Sequence, residues 1–108
     1  MLLVALGAGT AASAANKRVL VLDNRFAPAR VVIARGDVVT WLLPRRDRLT
    51  HNVTATKTPR RVGRRAFTSS RFLSPGDKFR RKFKRPGKYR FYCSLHPNLR
   101  LAVNVRRR

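Results

Sequence analysis

Glutamate does not occur in the 108 residues, and the acidic complement is four aspartates, Asp23, Asp37, Asp47 and Asp77. All four fall in or beside segments that read as turns, away from the segment that carries the cysteine. No carboxylate pair is placed for general acid and base work, and no enzymatic activity is expected. Cysteine occurs once, at Cys93. One thiol cannot close an internal disulfide, so it is buried, bound to a metal or free to react. Beyond the first fifteen residues there is no long apolar run. No segment repeats its apolar residues every 3.6 positions, so no helix longer than a turn is expected.

Residues 1–15, "MLLVALGAGTAASAA", are apolar and small, with an Ala-Ser-Ala cleavage pattern at Ala12, Ser13 and Ala14. They read as a signal peptide for export. The stretch is too short, and too rich in Gly and Ala, to span a bilayer. It lacks positive residues at its start, which fits a truncated leader whose true start lies upstream. Residues 16–108 are then one small domain, long enough for a single modest core.

The chain is rich in cations, with 26 Lys plus Arg giving a formal charge of +22. They come in runs: Arg45, Arg46 and Arg48; Lys57, Arg60, Arg61, Arg64 and Arg65; residues 80–90; and Arg106 to Arg108. Such a field attracts an acidic partner protein, an anionic envelope polymer or lipid headgroups. The plain alternative is a solvated surface in an Arg-rich composition. Specific nucleic-acid binding has no support beyond charge, because the one aromatic interleaving, "KYRFY", belongs to a strand core.

Apolar residues fall in short β-branched runs about ten positions apart: "KRVLVLD", "ARVVIAR", "DVVTWLL", "HNVTAT", "KFRRKFK", "GKYRFYC" and "LAVNV". Between them stand "RFAP", "RGD", "LSPGD" and "RPG", each with the Gly or Pro that turns require. This predicts an all-β fold, a Greek-key β-sandwich of about seven or eight strands. Residues 57–67 form the one connection long enough for irregular structure.

Within "GKYRFYC", Tyr89, Phe91 and Cys93 share one strand face and Arg90 and Tyr92 the other, so Cys93 faces the core. A buried cysteine is commonly just a small hydrophobe, and His96 taken alone reads as a surface turn residue. Cys-x-x-His is therefore a weak signal. The chain's other histidine, His51, at the head of "HNVTAT", strengthens it. Two imidazoles and one thiolate make the equatorial set of a trigonal copper site, where the soft sulfur suits Cu(I).

The segments "FAPARVVIARGDVVTWLL", "THNVTAT", "FLSPGDKFRRKFKRPGKYRFYCSLHP" and "VNV" resemble the cupredoxins, small blue copper proteins of the plastocyanin, pseudoazurin and amicyanin group. The resemblance runs from about Arg18 to Val105 and keeps the motifs in the family's order. It implies one copper ion, cycling between Cu(I) and Cu(II), bound by His51, Cys93 and His96. It also places Asn52 behind the metal, its backbone amide on the cysteine sulfur and its side chain tying the ligand loops together. Asn52-Val53-Thr54 is a formal glycosylation sequon, but a residue behind a metal is a poor acceptor.

The chain departs from the family at Leu99, where relatives carry an axial methionine, so this position is non-coordinating. Leu101 stands where relatives usually have glycine. The implied function is electron transfer between redox partners outside the cytoplasm, in the periplasm or at the cell envelope, by a monomer. The port would be His96 in a collar of Leu95, Pro97, Leu99 and Leu101, with an acidic redox partner steered by the arginines. Three other readings stand beside it: a polyanion-binding sandwich that has lost copper, a copper chaperone or store, and, ranked lowest, a zinc site.

Overall fold

A computed structural model describes residues 14–69 and 71–107. All but the last two residues of the expected signal peptide lie outside the described residues. Eight strands follow in order: β1 (Asn16–Val21), β2 (Phe26–Ala27), β3 (Arg30–Ala34), β4 (Val38–Leu42), β5 (Thr54–Lys57), β6 (Lys78–Lys82), β7 (Gly87–Cys93) and β8 (His96–Arg106). They form two four-stranded sheets, ordered β2-β1-β4-β6 and β3-β8-β7-β5. Both sheets are mixed, since β1 runs parallel to β4 and β3 parallel to β8, with the remaining pairs antiparallel. This is the expected all-β sandwich.

Period-two alternation builds the core. Val19 and Val21 point inward from β1, Val31 and Ile33 from β3, Val39 and Trp41 from β4, and Tyr89, Phe91 and Cys93 from β7. Between the sheets Trp41 packs on Phe79 and Phe91 at ring-centroid distances of 5.3 and 5.1 Å, and Phe83 packs on Phe67 and Tyr89, each at 4.8 Å. Tilted and edge-on pairs of this kind each contribute about 1 kcal/mol beyond area burial. The irregular connection after β5 holds a single 3-10 turn, Arg64–Phe67, which delivers Phe67 to this cluster. Among the described residues no helix is long and apolar enough to cross a membrane.

Two of the aspartates are absorbed by turns. Asp37 accepts the backbone N–H groups of Ala15 and Ala34, both at 2.9 Å, and Asp77 accepts that of Ser74 at 2.8 Å. Strand directions then gather the ends of β1, β4 and β7 with the starts of β5, β6 and β8 at one end of the sandwich. His51, Cys93 and His96 all lie at that end.

Two expected strands differ in extent. "LAVNV" is the latter part of an eleven-residue strand that starts at His96. In "HNVTAT" regular pairing begins only at Thr54. His51, Asn52 and Val53 are all buried, so the segment has no solvent face and no alternation.

Candidate metal centre

The β7–β8 hairpin supplies two of the three residues. Cys93 ends β7 and His96 opens β8; they pair directly across the ladder, joined by Ser94 and Leu95. The next pair is Tyr92 with Arg100, so Pro97, Asn98 and Leu99 are extra on β8 and form a bulge. Proline, lacking an N–H to give to a ladder, suits that place. Alternation buries Cys93 completely, and Leu99, inside the bulge, is 1% exposed. His96 is half-buried.

His51 comes from the connection between β4 and β5. Its backbone exchanges two hydrogen bonds with Leu73: its N–H donates to the Leu73 carbonyl at 3.0 Å, and its own carbonyl accepts from Leu73 at 2.7 Å. The ring is fully buried. Its Nδ1 stands 3.8 Å from the Cys93 Sγ, and its centroid lies 4.8 Å from that of His96.

The first distance can be tested against a shared ion. With metal–sulfur near 2.3 Å, metal–imidazole near 2.0 Å and about 120° between them, two donors on one ion stand roughly 3.7 Å apart. Sγ and Nδ1 already meet that spacing. Among the described residues no set of three His, Cys, Asp or Glu side chains is yet gathered as tightly as a bound ion would hold it. The Cys93–His51 pair has the spacing, and the His96 ring stands beside that of His51.

Asn52 ties the two contributions together. Its backbone N–H donates to the Cys93 Sγ at 3.4 Å. Its side-chain Nδ2 donates to the Ser94 hydroxyl at 2.6 Å, while its Oδ1 accepts from the Ser94 N–H at 2.9 Å and the Thr54 hydroxyl at 3.0 Å. Ser94 and Thr54 are parts of this network that sequence reading missed. Nothing marked them except their positions one residue after Cys93 and two after Asn52.

Two expectations need correction. The carboxylates do not all stand away from the site: Asp23, in the turn between β1 and β2, places Oδ1 3.3 Å from the Nε2 of His51. Partial desolvation raises the Asp23 pKa. The hydrogen bonds from His51 and from the N–H groups of Arg48 and Leu49 outweigh that and hold the carboxyl below its ordinary value. The collar differs too. Leu99 and Leu101 are core residues, 1% and 3% exposed, because they share the inward parity of Val103 and Val105. Leu95 and Pro97 of the expected collar are exposed, and the further exposed apolar groups at this end are Leu49 and Phe72. Leu49 lies two residues before His51, Phe72 directly before Leu73, and Leu95 directly before His96.

Residues 15–106 match the family model of copper binding proteins, plastocyanin/azurin family. The chain belongs to this family. Membership places this cupredoxin among copper-binding electron-transfer proteins. Similar solved structures include a purple cupredoxin from Nitrosopumilus maritimus, 24% identical, covering 82% of this chain and 98% of that one at a TM-score of 0.66. A plastocyanin from Dryopteris crassirhizoma, also 24% identical, covers 82% and 99% at a TM-score of 0.67. An oxidised amicyanin carrying a methionine-to-leucine substitution is 23% identical and covers 82% and 80% at 0.69. At these identities the likeness establishes the fold. No curated protein matches the chain.

Proposed function

We propose that this cupredoxin is a type 1 copper protein that carries single electrons, holding one ion through the imidazoles of His51 and His96 and the thiolate of Cys93. The carrying observation is the buried Cys93 Sγ facing the His51 Nδ1 at 3.8 Å with the Asn52 amide aimed at the same sulfur. When bound there, copper supplies a centre that gains and loses one electron with little rearrangement. The protein's part is to hold the donors before the ion arrives. Asn52 donates to the sulfur and, through Ser94, locks the His51 segment to the hairpin. Leu99, buried in the bulge of the same hairpin, brings no donor atom. Zinc is disfavoured, since a catalytic zinc site would want a base beside three protein ligands and a structural one would want a fourth.

Electrons would enter and leave at the half-buried edge of His96, inside the rim of Leu49, Phe72 and Leu95. That rim suits brief docking, and the +22 charge steers an acidic redox partner toward the molecule. Export to the periplasm or envelope surface and a monomeric state complete the reading. The export reading rests on the leader-like residues 1–15.

A second reading, an anion-binding sandwich, draws on clefts lined by Arg18, Lys78 and Arg80 on one sheet and by Arg30, Arg90 and Arg100 on the other. Redox cycling separates the carrier from a store or an anion binder. The copper-loaded protein should take and return one electron per copper repeatedly. Its exchange with an acidic redox protein should slow steeply with salt, since screening acts over about 8 Å at physiological ionic strength. Copper released on reduction would favour a store, and a salt-independent rate would reduce the arginines to a solvated coat.

A further inference from the structure

Asp23 follows β1, and its carboxylate meets three donors belonging to the segment that delivers His51: the ring Nε2 at 3.3 Å and the backbone N–H groups of Leu49 at 3.2 Å and Arg48 at 3.4 Å. We propose that Asp23 is a positioning residue for the copper site, fixing His51 in the tautomer with hydrogen on Nε2 and, through that ring, favouring the more positive state of the ion the site would hold. The inference rests on the copper reading above and adds a residue to it.

An ionised carboxylate only accepts hydrogen bonds, so the imidazole nitrogen facing it must carry the hydrogen. Nδ1 is then left with its lone pair, and Nδ1 is the atom that faces Cys93. In water the two tautomers of a histidine interchange readily. Here the ring has no exposed surface, so the choice falls to its protein neighbours. Held otherwise, with hydrogen on Nδ1, His51 would point an N–H at the sulfur and could not bind an ion beside it. The same carboxylate fixes the approach of the chain, because the two backbone amides it accepts lie two and three residues before His51.

The electronic consequence has a definite sign. A carboxylate on the remote N–H makes an imidazole a stronger donor, and a negative charge near the ion favours its more positive state. Asp23 therefore favours Cu(II). Leu99, buried in the hairpin that carries Cys93, offers no donor atom and acts in the opposite direction. The two residues pull the potential apart, so neither effect is seen alone in the wild-type protein. The Asp23 side chain is 39% exposed, and solvent screens part of its charge, which keeps its effect moderate.

The test uses Asp23→Asn, which keeps an acceptor oxygen and removes the charge, and Asp23→Ala, which removes both. In the metal-free full chain, nitrogen–proton correlation spectra of the His51 ring report the tautomer without copper. Wild type and Asp23→Asn should show hydrogen on Nε2, and Asp23→Ala should show a mixture or the other tautomer. In the copper-loaded proteins both variants should favour Cu(I), by about tenfold for Asp23→Asn, equivalent to about 59 mV upward for one electron. An Asp23→Ala chain that folds and keeps the wild-type tautomer overturns the positioning role. A potential that is unchanged or lower in Asp23→Asn overturns the electronic one. A wild-type chain that takes up no copper overturns the underlying copper reading instead, and that result needs no Asp23 variant.

Discussion

At the end of the sandwich that holds Cys93, the connections are fastened by side chains: Asp23 grips the residues before His51, and Asn52 reaches across to Ser94 and the cysteine sulfur. At the opposite end side-chain bonds reach backbone groups, as Asp37 does with Ala15 and Ala34, and backbone shape and packing do the rest. Gly87 takes φ +137°, and a Cβ there would lie 2.5 Å from the Pro59 ring. The buried Tyr89 returns its hydroxyl to the Arg85 carbonyl at 2.8 Å, and burial pushes its pKa up despite the opposing charge of Arg85. The cations Arg35, Arg60, Lys84 and Arg85 stand around a cleft at that far end. The difference teaches where chemistry can be placed. Donor atoms must be held to within a fraction of an ångström by neighbours that are themselves fixed, and at the first end hydrogen bonds reach the His51 ring and the Cys93 sulfur themselves. The ends should therefore separate under mutation: changes at the first alter copper and potential, and changes at the second alter stability.

The largest expected effect is at the metal end. Cys93→Ser should abolish the copper-dependent colour while leaving the far-ultraviolet circular dichroism and a cooperative thermal transition intact, because the sandwich is built by its own core. A Cys93→Ser protein that is unfolded where the copper-loaded wild type is folded would show that the metal is part of the fold.

Gly87→Ala should do the reverse. At this φ an L-residue costs on the order of 1–3 kcal/mol, and the overlap with Pro59 adds to it. Chemical denaturation should show a loss of at least that order, with the copper spectrum of the folded fraction unchanged. A normal stability would mean that Pro59 gives way, and a changed spectrum would mean that the two ends are coupled.

How much of this was legible follows the same division. The inward face of Tyr89, Phe91 and Cys93 could be read from alternation, since a hairpin strand is a local pattern. His51 was legible as a residue type but not in its setting. His51, Asn52 and Val53 are buried together because their hydrogen bonds run to Leu73, Ser69 and Cys93, partners far along the chain. Asp23 reads as any turn aspartate, and its meeting with a ring 28 residues later is created by the packing of two connections. The burial of Leu99 and Leu101, by contrast, was present in the alternation that continues through Val103 and Val105.

A smaller effect sharpens the comparison within the metal end. Leu99→Met returns a weak thioether donor beside copper and should lower the reduction potential by about one tenfold preference for Cu(II), about 59 mV, with little change in stability because the two side chains have similar volume. A redox titration of the two proteins measures it. An unchanged or higher potential would show that position 99, although buried, does not face the ion.

The most direct measurement is a copper titration of the wild-type chain followed by visible absorption and metal analysis. The account predicts an intense thiolate-to-copper band that saturates at one equivalent and is absent from Cys93→Ser. No band at any ratio, or a band that survives the loss of Cys93, would contradict a copper site built from His51, Cys93 and His96.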